Sequence, residues 1–182
     1  MTTANKLTLL RMALIPVFLG VLYAGFPGSR YVALGVFIAA SLTDMLDGYI
    51  ARHYNQITDF GKFMDPLADK VLVMAAMCWF VEAGRMPGWV LAVVLFREFA
   101  VSGMRLVAVE QGRVIAAGWS GKVKTAATMV CLCLMLLIGA PEVGDSVPDL
   151  IATVSNIIIV ATTLYSGAEY FIKNRDVFKN AK

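Results

Sequence analysis

Four aspartates stand within residues 44–69 of a chain that is otherwise strongly apolar. They form two pairs, Asp44 with Asp47 and Asp65 with Asp69. Residues three or four apart are neighbours on one face of a helix, so each pair presents two carboxylates together. An ionised carboxylate inside a membrane helix is costly, and by default it indicates a functional site.

Divalent metal ions would neutralise this cluster most simply. Hard carboxylate oxygens favour Mg²⁺, Mn²⁺ or Ca²⁺, and four carboxylates can hold two such ions for a displacement at phosphorus. The competing interpretation is that the aspartates cap helices or pair with nearby bases. Only Arg52, Lys62 and Lys70 are close in sequence, so pairing accounts poorly for all four acids.

Two glycines and one arginine lie on the same two segments as the aspartates. Gly48 and Gly61 would let a ligand approach the backbone closely, because glycine has no Cβ. Arg52 is suited to a phosphate, since its planar guanidinium matches phosphate oxygens in pairs. The pattern therefore predicts a metal site with a phosphate-binding flank.

Composition places this site in a membrane protein of one domain, residues 1–182. Hydrophobic residues make up 59% of the 182 residues, whereas soluble domains contain about 45–50%. The net charge of +3 is modest and no basic run is present, which argues against nucleic-acid binding.

Six apolar stretches could position the aspartates. A membrane-spanning helix needs about 20 mainly apolar residues, and the sequence offers such stretches at 8–23, 31–54, 60–81, 88–109, 123–139 and 147–172. We therefore expect an all-α, polytopic membrane protein with six transmembrane helices. The aspartates would lie at the end of the second helix and the beginning of the third.

The distribution of positive charge predicts the orientation. With six spans both termini lie on one side, and most of the basic residues fall there. The loops on the opposite side contain only two basic residues, Arg30 and Arg85. Because cytoplasmic loops carry an excess of lysine and arginine, we expect both termini and the aspartate cluster to face the cytoplasm.

The aspartate stretch also resembles a known family. Its pattern Asp44-x2-Asp47-Gly48-x2-Ala51-Arg52-x8-Gly61-x3-Asp65-x3-Asp69 is similar to the signature of the CDP-alcohol phosphatidyltransferases. The resemblance implies a six-helix membrane enzyme of the bacterial cytoplasmic membrane, a homodimer, that uses Mg²⁺ or Mn²⁺. Such enzymes displace CMP from a CDP-linked lipid with the hydroxyl of an alcohol.

The same resemblance assigns roles by position. It implies that the four aspartates bind metal and that Asp69 is also the general base. It further implies that CDP is bound by residues of the same stretch, namely Asp47, Gly48, Ala51, Arg52 and Gly61.

Other parts of the chain narrow the expected substrates. The runs NKLTLLRMALIPVF (5–18), DPLADKVLV (65–73), REFAVSGMR (97–105) and SGKVKTAAT (120–128) resemble family members with defined substrates. Those members transfer the phosphatidyl group from CDP-diacylglycerol to glycerol 3-phosphate, giving phosphatidylglycerophosphate and CMP. The alternatives are the same chemistry with another acceptor, such as inositol phosphate, or a divalent-cation transporter that uses intramembrane aspartates.

Glycerol 3-phosphate carries a phosphate of its own, which calls for a second basic pocket. The candidates on the expected cytoplasmic side are Arg105, Arg113, Lys122 and Lys124. The competing interpretation is that these bases only determine topology. Arg97 lies nearer mid-depth, and we expect it to form a buried pair with Glu98. Thr8 and Arg11 are expected to face the nucleotide or the lipid headgroup.

Overall fold

Six long helices and a short seventh make up the part of the chain that the computed structural model describes. The backbone is described for residues 3–53, 59–113, 115–116, 118–138 and 146–179, and the side chains for 8–43, 64, 67–68, 70–113, 115–116, 118–138 and 149–177. The helices are α1 Thr3–Ala24, α2 Ser29–His53, α3 Asp59–Glu82, α4 Gly88–Glu110, α5 Trp119–Ile138, α6 Ser146–Lys173 and α7 Asp176–Lys179. The described residues include no strand, so the all-α prediction is confirmed for them.

The predicted helices all form, and two of them begin earlier than hydropathy indicated. Helix α1 begins at Thr3 and α5 at Trp119, where the sequence predicted residues 8 and 123. The added turns contain polar residues such as Lys6 and Lys122. Backbone hydrogen bonds continue a helix through polar residues, whereas hydropathy detects only the apolar part.

Side-chain contacts fix the directions of the helices. Near the end of α1, Tyr23 donates a hydrogen bond to Glu82 at the end of α3 (2.5 Å). Near the end of α4, Arg105 donates one to Tyr170 near the end of α6 (3.1 Å). Helices α1 and α3 therefore run in the same direction, as do α4 and α6, and the short connection 25–28 places the start of α2 beside the end of α1. The last turns of α2 thus share one end of the bundle with the first turns of α3. We call this the aspartate end.

An apolar core fills the half of the bundle away from the aspartate end. Its members come from the second half of α1, the first half of α2 and the adjoining helices, and they include Phe18, Phe37, Met77 and Leu136. The Phe18 and Phe37 rings lie 5.7 Å apart at 45°. This tilted packing joins α1 to α2, and α5 packs similarly along α6.

Polar side chains are buried in the other half. Thr8, Arg11, Lys124, Thr128 and Ser166 are each at most 5% exposed. Burying polar groups costs free energy unless they are hydrogen-bonded or paired. The aspartate end therefore contains buried polar groups whose positions apolar packing alone does not explain.

The exterior of the bundle is apolar. Phe96, Phe99 and Leu106 on α4 are 71–75% exposed, and α6 exposes Leu164 and Ile172. Soluble monomers rarely expose so much contiguous apolar surface. Among the described residues, Trp119–Ile138 and Asp149–Lys173 are long and apolar enough to cross a bilayer.

The Phe18–Phe37 contact predicts the effect of a core truncation. We expect Phe37→Ala to destabilise the protein by about 3 kcal/mol and to lower its midpoint of thermal unfolding in detergent by about 6–12 °C, because it leaves a cavity between α1 and α2. The control Phe96→Ala removes a ring that is 75% exposed and should change the midpoint little. Equal midpoints for the two variants would contradict the packing described here.

Candidate active site

The aspartate end brings the two acidic segments together through their helices. Residues 44–52 lie in the last turns of α2, and residues 61–69 lie in the first part of α3. The side chains of Asp44, Asp47, Asp65 and Asp69, and those of Ala51 and Arg52, lie outside the described residues, as do the surroundings of Gly48 and Gly61. Their metal-binding and CDP-binding roles therefore stay predictions.

The first helix contributes two buried polar side chains at the same end. Thr8 is 1% exposed and Arg11 is 0% exposed, and α1 packs against both α2 and α3. These residues are thus buried on a helix that packs against the two helices that carry the aspartates. Their contact with a nucleotide or a headgroup stays a prediction.

A cavity of about 870 Å³ lies at the aspartate end between α2, α4, α5 and α6. On α2 its wall includes Ser41 and Leu42. Residue 44 follows Ser41 by three positions, so it is the next neighbour along that side of the helix. The cavity wall therefore leads along α2 toward the aspartate segment.

Two predicted bases line this cavity. Arg105 donates from Nε to the Tyr170 hydroxyl (3.1 Å), and its guanidinium carbon lies 5.6 Å from the centroid of the Tyr170 ring. This contact orients Arg105 and leaves its two terminal nitrogens without a partner among the described residues. Lys122 is exposed on the α5 side of the cavity.

The first turn of α5 forms another part of the wall. Gly118, Ser120 and Gly121 all line the cavity. The N–H groups of a helix's first turn have no acceptor within the helix, and the helix dipole favours negative charge there. Arg105 and Lys122 line the same cavity, and unpaired amides at the start of a helix together with basic side chains are suited to a phosphate.

The expected pair between Arg97 and Glu98 is confirmed. Arg97 Nη1 donates to Glu98 Oε1 (2.9 Å), and Nη2 donates to Ser166 Oγ on α6 (2.7 Å). A Cβ at Gly167 would lie 3.3 Å from Arg97 Cγ, and one at Gly121 would lie 3.5 Å from Nη2. The two glycines thus leave room for Arg97 between α5 and α6.

Glu98 also contacts two lysines from other helices. Lys124 Nζ on α5 donates to Glu98 Oε1 at 2.8 Å, and Lys70 Nζ on α3 lies 3.7 Å from Oε2. Lys70 further donates to Ser102 Oγ at 2.6 Å. Because Lys70 directly follows Asp69, this cluster joins the aspartate segment of α3 to the cavity wall on α4.

The four bases predicted for the acceptor therefore occupy three different places. Arg105 and Lys122 line the cavity, whereas Lys124 is buried behind Glu98. Arg113 donates to Asp176 of α7 at 2.6 Å on an exposed surface. It is not among the residues that line the cavity.

Sequence reasoning missed several polar residues of this region. Ser166 and Tyr170 lie four apart on α6 and share one face, a spacing visible in the sequence. Lys70 and Ser102 gave a weaker signal, because their contact joins positions 32 residues apart.

The donor chemistry of the aspartates fits a hard divalent cation. Among the described residues, no group of three or more histidine, cysteine, aspartate or glutamate side chains could hold a metal. The four aspartates on α2 and α3 offer only carboxylate oxygens, which Mg²⁺ and Mn²⁺ prefer. A metal site is therefore expected on those two segments.

Comparisons with known proteins all point to one family. A sequence model described as CDP-alcohol phosphatidyltransferase matches residues 1–166. The chain is 41% identical to the CDP-diacylglycerol–glycerol-3-phosphate 3-phosphatidyltransferase of Bacillus subtilis (strain 168), over 97% of each chain.

Two further relatives match over a shorter region. The protein of the same name from Escherichia coli (strain K12) is 43% identical, over 71% of this chain and 74% of its own. The probable phosphatidylglycerophosphate synthase of Mycobacterium tuberculosis (strain ATCC 25618 / H37Rv) is 42% identical, over 74% of this chain and 65% of its own. The protein therefore belongs to the CDP-alcohol phosphatidyltransferase family.

Proposed function

We propose that this protein transfers the phosphatidyl group of CDP-diacylglycerol to glycerol 3-phosphate, giving phosphatidylglycerophosphate and CMP. The observation that carries the proposal is the cavity at the aspartate end, which Arg105, Lys122 and the start of α5 line and where we expect the acceptor's phosphate to bind. The relatives whose names specify these two substrates support the same reaction.

The donor would be held by the aspartate segments. Asp44, Asp47, Asp65 and Asp69 would hold two Mg²⁺ or Mn²⁺ ions, which neutralise the pyrophosphate and stabilise the charge that develops on departing CMP. The cytidine diphosphate would contact Asp47, Gly48, Ala51, Arg52 and Gly61. Thr8 and Arg11 would contact the nucleotide or the lipid headgroup from α1.

The reaction needs one proton transfer and one displacement. Asp69 would accept the proton of the acceptor hydroxyl, and the hydroxyl oxygen would attack the β-phosphorus in line with the leaving group. A new P–O bond forms to the acceptor while the P–O bond to CMP breaks.

The acceptor's phosphate would bind in the cavity. Arg105 and Lys122 supply positive charge, and the amides of the first α5 turn supply donors that need an acceptor. Lys124 would act on this site through Glu98 rather than by direct contact. We assign Arg113 to its surface pair with Asp176.

The setting would be the bacterial cytoplasmic membrane. We propose that six helices span it, that both termini and the active site face the cytoplasm, and that the protein is a homodimer. The apolar exterior, with Phe96 and Phe99 exposed, supports residence in lipid. The concentration of basic residues at the aspartate end supports the orientation.

The acceptor can be tested with a panel of alcohols. Purified protein with CDP-diacylglycerol and Mn²⁺ should release CMP when glycerol 3-phosphate is added, and EDTA should abolish the release. Inositol phosphate and unphosphorylated glycerol should give only the background rate. Release with inositol phosphate but not with glycerol 3-phosphate would contradict the proposed acceptor. Uptake of metal into liposomes without any CMP release would contradict the enzyme assignment.

The role of Asp69 predicts a separation of catalysis from binding. Asp69→Asn should lower kcat by about 10²–10⁴-fold, because its amide cannot accept the hydroxyl proton. Binding of CDP-diacylglycerol should remain measurable, whereas Asp44→Asn should weaken it. Asp149→Asn, at the opposite end of the bundle, is the matched control. If Asp69→Asn and Asp44→Asn lose the same amount of binding, Asp69 acts mainly as a metal ligand.

The cavity predicts a selective effect on the acceptor. Arg105→Gln should raise the KM for glycerol 3-phosphate by about 10- to 100-fold, because a charged donor to phosphate is lost. The KM for CDP-diacylglycerol should stay unchanged. Arg175→Gln removes an exposed arginine near the same end that does not line the cavity, and it should leave both constants unchanged. A rise confined to the KM for CDP-diacylglycerol would place the acceptor elsewhere.

A further inference from the structure

Glu98 is a carboxylate in the interior of the bundle that the proposed reaction does not use directly. Its side chain is 15% exposed. It contacts Arg97 on its own helix at 2.9 Å, Lys124 on α5 at 2.8 Å and Lys70 on α3 at 3.7 Å. One acidic group therefore joins cations from three helices.

The cations of this cluster outnumber its carboxylate. The side chains of Lys124 and Arg97 are only 6% and 13% exposed, so water screens their repulsion poorly. Removing the carboxylate would leave Lys70, Arg97 and Lys124 to repel one another. Among the described residues, Glu98 is the carboxylate that offsets the repulsion between these bases before any anion binds.

Arg97 is the member of the cluster best placed to act on a ligand. It lines the 870 Å³ cavity. Glu98 takes one N–H of Nη1 and Ser166 takes one N–H of Nη2. Each terminal nitrogen of a guanidinium carries two N–H groups, so each retains one further donor. Glycines at 121 and 167, which lack a Cβ, leave room for the side chain at this position.

We infer that Glu98 is a positioning residue for the acceptor, because it fixes Arg97 at the cavity wall and holds Lys124 and Lys70 behind it. The cationic wall is then formed before the acceptor's phosphate arrives, so binding does not have to order these side chains. Glu98 itself lines the cavity, and its three cations offset the repulsion that a lone carboxylate would exert on phosphate. The inference rests on the proposed function, in which a phosphorylated alcohol occupies this cavity.

The test compares variants that keep or remove the charge at this position. Glu98→Gln keeps the shape and removes the charge, and it should raise the KM for glycerol 3-phosphate by about tenfold while leaving the KM for CDP-diacylglycerol unchanged. Glu98→Asp retains the charge and should recover part of the loss. Glu110→Gln makes the same chemical change at an exposed position on the same helix and should behave as the wild type.

Two results would overturn the inference. One is a Glu98→Gln variant with wild-type constants for both substrates. The other is a variant in which the constants for both substrates worsen together and the midpoint of thermal unfolding falls, since that is the signature of a structural role alone.

If Glu98→Gln does not fold, variants of the residues around it test the same inference. Ser166→Ala removes only the second anchor of Arg97, and Lys124→Met removes one cation while keeping the length of the side chain. Each should raise the KM for glycerol 3-phosphate alone, and unchanged constants in both would overturn the inference.

Failure of the inference can be told apart from failure of the proposed function. A wild-type protein that releases no CMP with glycerol 3-phosphate refutes the proposed function. A wild-type protein that does so, paired with a Glu98→Gln variant that lacks the selective effect, refutes only the role of Glu98.

Discussion

Burying a carboxylate in an apolar helical bundle costs free energy that nearby cations offset, and Glu98 contacts bases from three helices. These contacts tie α3, α4 and α5 together at one level of the bundle. The Arg97 hydrogen bond to Ser166 adds α6. Removing the Glu98 carboxylate would leave these bases without their shared partner, so the arrangement of positive charge at the cavity wall depends on it.

The two halves of the bundle differ in the side chains that fill them. Away from the aspartates, close apolar packing such as that of Phe18 against Phe37 holds the helices together. At the aspartate end, buried polar side chains and a cavity of about 870 Å³ lie beside a smaller apolar cluster of α4, α6 and α7. An enzyme that joins a lipid-linked nucleotide to a charged alcohol needs such an arrangement, because one substrate comes from the bilayer and the other from water.

The helices could be predicted from the sequence because each apolar run is long enough to be recognised without its neighbours. The early starts of α1 and α5 could not, because their first turns contain polar residues that hydropathy excludes. The pair of Arg97 with Glu98 was predictable, because charged side chains near mid-depth in an apolar helix need a partner. The burial of Lys124 was not, because its partner lies 26 residues away on another helix. The cavity depends on how four helices pack, which no single segment encodes.

The central claim is that the acceptor's phosphate binds between Arg105 and the first turn of α5. An experimental structure of the protein in lipid nanodiscs with glycerol 3-phosphate and Mn²⁺ tests it most directly. We expect phosphate density within hydrogen-bonding distance of the terminal nitrogens of Arg105 and the first amides of α5. Phosphate density at the opposite end of the bundle, beside Arg30 and Arg85, with only acyl chains in the cavity, would contradict it.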